Sequence, residues 1–270
     1  MKRIATAFVV ASVTGCWSSH GAEDTAAALA PVTKQAAGAV APVAVLTQHN
    51  DNARTGANTQ ETALTTSNVN GSSFGWLFDR VVDGDVYAQP LILPGVTIRG
   101  TTYDVLYVVT EHDTVYAFDA DNAANSAPLW YVSLGTSASP STLIGRYDGD
   151  QRETGITSTP VIDPATGTIY VVAFDYGAPP TKPSTWKLHA LDLASGAEKL
   201  ACPDASGAEK LPCPATITAS VAGNTYESVN GVITFNPTMQ LQRPGLLLQG
   251  GQIYIGFGMY ADAGPAHGWF

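Results

Sequence analysis

The chain has 270 residues, with 13 Lys and Arg against 23 Asp and Glu for a net charge of −10, and only 13% of its residues are charged. A charged fraction well below the usual ~25%, together with 26 glycines and 17 prolines, excludes a coiled coil, a collagen and a charge-driven disordered chain. The acidic balance excludes a broad basic surface, so no nucleic-acid partner is expected, and no apolar run reaches the ~18 residues that a membrane-crossing helix needs.

In chain order, Met1-Lys2-Arg3 is a positive n-region and Ile4 to Val13 a short apolar h-region, the pattern of an export signal. The segment ends Val13-Thr14-Gly15-Cys16, which resembles the bacterial lipobox. That resemblance implies a lipoprotein signal peptide over residues 1–15 and a lipid on Cys16 that anchors the protein to a membrane. Trp17, rather than Asp, follows the cysteine and favours the outer membrane. The alternative is an ordinary signal peptide with a chance cysteine, which leaves the protein periplasmic or extracellular. Residues 16–44 are rich in Ala, Pro, Gly and Ser and read as a disordered tether. About 28 flexible residues span near 30 Å, enough to hold a domain clear of a membrane.

From Val45 the apolar stretches are short, rich in Val, Ile, Tyr, Thr and Leu, and bounded by Gly, Pro, Asp and Asn, which predicts strands. They are clearest at Leu91-Ile92-Leu93, Asp104 to Thr110, Thr114 to Phe118, Thr168 to Ala173, Trp186 to Leu191 and Gln252 to Phe257. No comparable helical period appears. Three units repeat. The first opens at Gln89-Pro90-Leu91-Ile92 and closes at Pro128-Leu129-Trp130. The second opens at Thr159-Pro160-Val161-Ile162 and closes at Ser195-Gly196-Ala197-Glu198-Lys199-Leu200. The third opens at Arg243-Pro244-Gly245-Leu246 and stops at Trp269-Phe270. Each complete unit offers three strands, and a fourth would make a propeller blade.

The stretch Ala190-Leu191-Asp192-Leu193-Ala194-Ser195-Gly196-Ala197-Glu198-Lys199-Leu200, and more loosely Ala117 to Trp130, resembles the repeat of quinoprotein-type (PQQ-repeat) β-propellers. In that repeat a Gly turns the chain between the third and fourth strands and a Trp docks between blades. Thr47 to Gly56, Asp83 to Pro90 and Thr110 to Ala120 also resemble a group of secreted bacterial PQQ-like propeller proteins. The resemblance covers residues 45–270 and implies an all-β fold, a partial β-propeller of about three PQQ-like blades with the last incomplete. Units spaced 70 and 84 residues apart, against about 40–50 in common propeller repeats, imply long inserted loops. Three incomplete blades do not close a ring, so the chain reads as a truncated member or a piece of a longer one, with open edges suited to self-association.

Cys202 and Cys213 lie in a tandem duplication of Ala194 to Asp204 by Ala205 to Ala215, and in an oxidising compartment a disulfide between them would staple an exposed insertion. A copied cysteine with no pairing role is the other reading. PQQ alcohol dehydrogenases carry two adjacent cysteines over the cofactor, a pair this chain lacks. Glu111-His112-Asp113, at a turn between strands, offers a carboxylate beside an imidazole and so a general base or ligand set, set against plain turn residues bonding their own backbone. His49, Asn50, Asp51, Asn52 and Arg54 form a polar cluster that either holds a ligand or closes the N-terminal segment on the body. Glu153 and Arg243 are the conceivable members of a quinone and calcium site, Glu153 having as its alternative an ion pair with Arg152 or Arg146. Asp119-Ala120-Asp121-Asn122 and Asp148-Gly149-Asp150 hint at calcium loops but complete no such motif and read as turns; no metal site is expected from them.

The function expected is a non-catalytic binding or scaffolding module at the cell envelope, partnered by envelope proteins, a second copy or, through Cys16, the membrane. The alternative is a quinoprotein oxidoreductase using PQQ and Ca²⁺ on an alcohol or sugar, or an inactive piece of one.

Overall fold

The computed structural model describes residues 43–270 apart from 73, 146–148, 201, 204–209 and 261–266. The signal segment, Cys16 and nearly all of the tether lie outside the described residues. Four strands, β1 (Leu91–Ile98), β2 (Thr101–Val109), β3 (Thr114–Asp119) and β4 (Trp130–Ser133), pair antiparallel in chain order as one sheet. After one short helix, α1 (Pro140–Ile144), a second sheet takes β5 (Val161–Asp163), β6 (Thr168–Asp175) and β7 (Thr185–Asp192). β8 (Cys202–Pro203) and β9 (Lys210–Leu211) pair with each other in the insertion, and β10 (Ala215–Thr216) then returns to complete the second sheet on β7. Three two-stranded sheets follow: β11 (Ser220–Ala222) with β12 (Val232–Thr234), β13 (Gln240–Leu241) with β16 (Gly258–Met259), and β14 (Leu247–Gln249) with β15 (Gln252–Tyr254). The fold is all-β, and no sheet closes on itself among the described residues.

Alternation explains how these sheets stack. On β2, the odd positions Val105, Tyr107 and Val109 face the second sheet, whereas Leu106 and Val108 face the opposite way with Phe118. On β6, Ile169, Val171 and Ala173 meet the first sheet, whereas Tyr170, Val172 and Phe174 lie with Trp186 of β7 against Phe235, Leu246, Phe257 and Tyr260 of the following region. Every residue of β6 is buried because both its faces are covered. Each Val, Leu or Ile so buried contributes roughly 1.5–3 kcal/mol.

The first unit therefore acquires its fourth strand at Trp130. In the second, the fourth strand is split by the duplication. Glu198 bridges Leu191 and the Lys199 N–H donates to the Ala190 carbonyl at 2.7 Å, then the chain leaves and resumes beside β7 with Ala215 opposite Leu188. The third unit is smaller than the sequence implies, its strand expected over Gln252 to Phe257 ending at Tyr254.

Residues 45–54 strap the units together. Val45 bridges Ile92, the Leu46 carbonyl accepts from the Ile162 N–H at 2.8 Å, and the Thr47 hydroxyl donates to the Leu246 carbonyl at 3.4 Å. Arg54 fans its guanidinium over the Thr47 hydroxyl, the Gln48 carbonyl and the Leu246 carbonyl, at 2.6, 2.7 and 2.9 Å. Asn52 donates to the Leu248 carbonyl at 3.0 Å. Of the two readings of the cluster from His49 to Arg54, the structure bears out closure of the N-terminal segment on the body.

Candidate functional site

Among the described residues, the acidic turn between β2 and β3 brings Asp83, Asp85, Glu111, His112, Asp113, Arg152 and Glu153 into one neighbourhood. Thr110 and Asp113 close the turn, with the Asp113 N–H donating to the Thr110 carbonyl at 3.1 Å and Asp113 itself at φ +60°, a left-handed conformation that Asp tolerates better than most residues. Below it, Asp83 accepts from the hydroxyls of Thr110 and Thr114 at 2.9 and 2.5 Å. Asp85 takes the Arg152 guanidinium, its Oδ2 at 3.1 Å from Nε, and its carbonyl accepts from the Glu111 N–H at 2.9 Å.

Glu111 and Asp113 are both fully buried. Glu111 Oε2 accepts from the Gly155 N–H at 2.9 Å and from the Thr157 hydroxyl at 3.1 Å, across 44 and 46 residues of sequence. Among the described residues, Glu111 Oε1 and both Asp113 carboxylate oxygens make no close hydrogen bond, with the Phe174 backbone and the Gln151 side chain only near enough to offset burial in part. Burial, only partly offset by the Gly155 and Thr157 bonds, pushes the Glu111 carboxyl up to about 7. Burial and then the neighbouring Glu111 and Asp175 raise Asp113 well above its ordinary value. Gly155 fits between them with no room to spare. A Cβ there would stand 2.2 Å from the Glu111 carbonyl oxygen and 2.9 Å from the Asp113 carboxyl carbon.

His112 points outward. Its Nδ1 lies 2.9 Å from Glu153 Oε2, which also accepts from the Ser137 hydroxyl at 3.3 Å, and the Glu153 bond raises the His112 pKa. The expected pairing of Glu153 with Arg152 is thus corrected, since Asp85 claims Arg152 and His112 claims Glu153; Arg146 lies outside the described residues. Arg243 is exposed in the third unit, and no hydrogen bond or ion pair joins it to Glu153 among the described residues. Nor do three or more His, Cys, Asp or Glu side chains converge as a metal cluster among the described residues.

The remaining candidates sort by their local bonds. Asp119 Oδ1 accepts from the N–H groups of Asp121 and Asn122, which is the capping of a turn. Asp148 lies outside the described residues. The side chain of Cys202 does as well, although its backbone is placed opposite Leu211. Cys213 is not a free thiol. Sequence reasoning missed an apolar cavity of about 390 Å³ lined by Ile217, Phe235, Ile253, Tyr254, Phe257 and Trp269. Its walls come from segments scattered over more than fifty positions, so no local pattern announces it. No helix among the described residues is long and apolar enough to cross a membrane. No protein family, curated protein or solved structure compared with this chain matches it.

Proposed function

We propose that this chain is an exported, PQQ-like β-propeller module that binds or scaffolds partners at the cell envelope and performs no catalysis. The observation that carries the reading is the filling of the acidic turn by the protein's own backbone. Gly155 packs on the Glu111 carbonyl and the Asp113 carboxyl while its N–H holds Glu111 Oε2, so these acids serve as a joint between the first sheet and the segment that leads into the second. The propeller part is supported by two successive antiparallel four-stranded sheets stacked face to face. It is supported too by the packing of Trp130 on the Gly196 turn, the interblade contact that the repeat resemblance implies. Anchoring through Cys16 belongs to the same proposal, and mass analysis of the mature N-terminus tests it. An unmodified Cys16, or a start further downstream, rules the anchor out.

The decisive experiment is a thermal melt of the protein with and without PQQ plus Ca²⁺, because a ligand that binds only the folded state raises its stability in proportion to RT ln(1 + [L]/Kd). A cooperative melt that stays in place is the expected result. An upward shift overturns the reading in favour of a quinoprotein oxidoreductase.

A further inference from the structure

Residues 78–82 lie against the outer side of the first sheet without joining any strand, and residues 74–77 lead into them exposed. Arg80 is buried, donating to the carbonyls of Asp119 and Asn122 at 3.0 and 2.9 Å and lying 4.2 Å over the Phe78 ring. Val82 packs on the cluster of Leu106, Val108 and Phe118. Leu77, Asp79 and Val81, between and beside these, are exposed, Val81 at 87%. Over residues 77–82 this period of two is that of a strand with one face covered, and Phe74 to Trp76, exposed in succession, continue it outward. Yet among the described residues no backbone group from 75 to 82 pairs with another backbone group, the Asp79 carbonyl alone accepting from a side chain, the Arg80 guanidinium at 3.1 Å. A strand held in this shape presents a row of donors and acceptors to whatever lies beside it.

We infer that residues 74–82 are a preformed strand-addition site for an extended peptide whose pairing face reads apolar, basic, apolar. The outward face, Leu77, Asp79, Val81, sets that chemistry, because cross-strand neighbours favour apolar pairs and opposite charges. The chain's net charge of −10 adds a long-range preference for a basic partner. A second copy of the same segment is disfavoured, since it brings its own Asp79. Both ends of the site are tied down in advance. The Phe74 N–H donates to the Asn70 carbonyl at 2.9 Å, and Asp83 is held by Thr110 and Thr114. Little ordering therefore opposes binding, as in other cases of peptide addition to a free edge. Trp76, 66% exposed, stands within the site as its reporter. The inference rests on this segment alone and survives if the propeller reading fails.

The probe is a synthetic nine-residue peptide carrying valine, lysine and valine at alternate positions on one face and threonine on the other, with glutamate replacing lysine in its control. Titrated into the intact protein, the lysine peptide should shift tryptophan emission to the blue and saturate, and the shift should vanish in Trp76→Phe. Asp79→Lys, with its melt compared to the parent because Asp79 also faces the buried Arg80, should weaken the lysine peptide about fivefold and strengthen the glutamate peptide by a similar factor. N-methylation of the peptide's pairing amides should abolish binding. The inference is overturned by the lack of a Trp76-dependent shift, by a peptide preference that Asp79→Lys leaves unchanged, or by a Trp76 shift that follows protein concentration alone, which would mean that a second copy occupies the segment.

Discussion

Trp130 of the first sheet and Gly196 of the second are fitted to one another so closely that a Cβ on Gly196 would stand 2.5 Å from the Trp130 ring. The contact is held from both sides. The Trp130 indole N–H donates to the Leu193 carbonyl at 3.1 Å, and the Tyr107 hydroxyl reaches the same oxygen at 2.9 Å. Gly196 also sits at φ +71°, where side chains are strained irrespective of space.

Two separate effects should therefore appear on Gly196→Ala. Left-handed strain costs about 1 kcal/mol, and the collision with the indole adds roughly 1–3 kcal/mol. Trp130→Ala should cost about 3–5 kcal/mol by itself. In the Trp130→Ala background the alanine at 196 should retain only the strain, so urea unfolding of the four proteins should give a coupling of about 1–3 kcal/mol. Additive losses would show that the indole does not rest on this turn.

The buried acids give the fold a pH dependence of a definite sign. A carboxyl whose folded pKa is raised stabilises fully below its unfolded pKa and loses that contribution as pH rises through the folded one. For Glu111 the window runs from about 4.5 to about 7, with a loss of order 3 kcal/mol. Asp113, raised by burial, acts in the same direction. So does His112, whose raised pKa makes its bond with Glu153 fade as pH rises. Asp175, held low by Lys187 and Lys182, changes only at more acidic pH. The melting temperature should therefore fall between pH 5 and pH 8, and Glu111→Gln should flatten that slope. A melting temperature that rises over this range contradicts the assignment.

Local pattern made part of this legible. The β-branched runs at Asp104 to Thr110 and Thr168 to Ala173 announce β2 and β6, because their propensity and burial point to the same element. The fourth strand of the second sheet does not announce itself. Only two residues long, it resumes at Ala215 after an insertion copied from the very turn that should have led into it. The acidic turn was legible as a turn, but its burial was not. The residue that seals it, Gly155, lies 44 positions away and has no side chain to mark its role. Of the two arginines weighed as partners of Glu153, Arg152 is adjacent in sequence but is drawn across to Asp85, and His112, 41 positions away, takes Glu153 instead.

The strap of residues 45–54 depends on Arg54. Arg54→Ala leaves the fully buried Leu246 without its guanidinium donor, which should cost about 2–4 kcal/mol. Lysine should not restore it, because a single ammonium does not span the Gln48 and Leu246 carbonyls as the guanidinium fork does. Hydrogen exchange should locate the damage. Amides of β14 and β15 should lose protection while those of β6, covered on both faces, keep theirs. Uniform loss across all sheets would mean that the strap does not act locally.

The insertion between the two halves of the split strand is the place to look for a disulfide. β8 and β9 set Cys202 opposite Leu211, and the Cys213 N–H donates to the Leu200 carbonyl at 3.4 Å. That register brings the backbones of the two cysteine segments onto one antiparallel ladder. Closing a loop of about eleven residues should stabilise by roughly 2–3 kcal/mol in the chain-entropy account, with the effect confined to the insertion if it unfolds separately. Peptide mapping without reductant should recover one linked pair containing Cys202 and Cys213, and reduction should expose two thiols. A linked pair containing Cys16, or free thiols at both positions before reduction, would rule the bridge out.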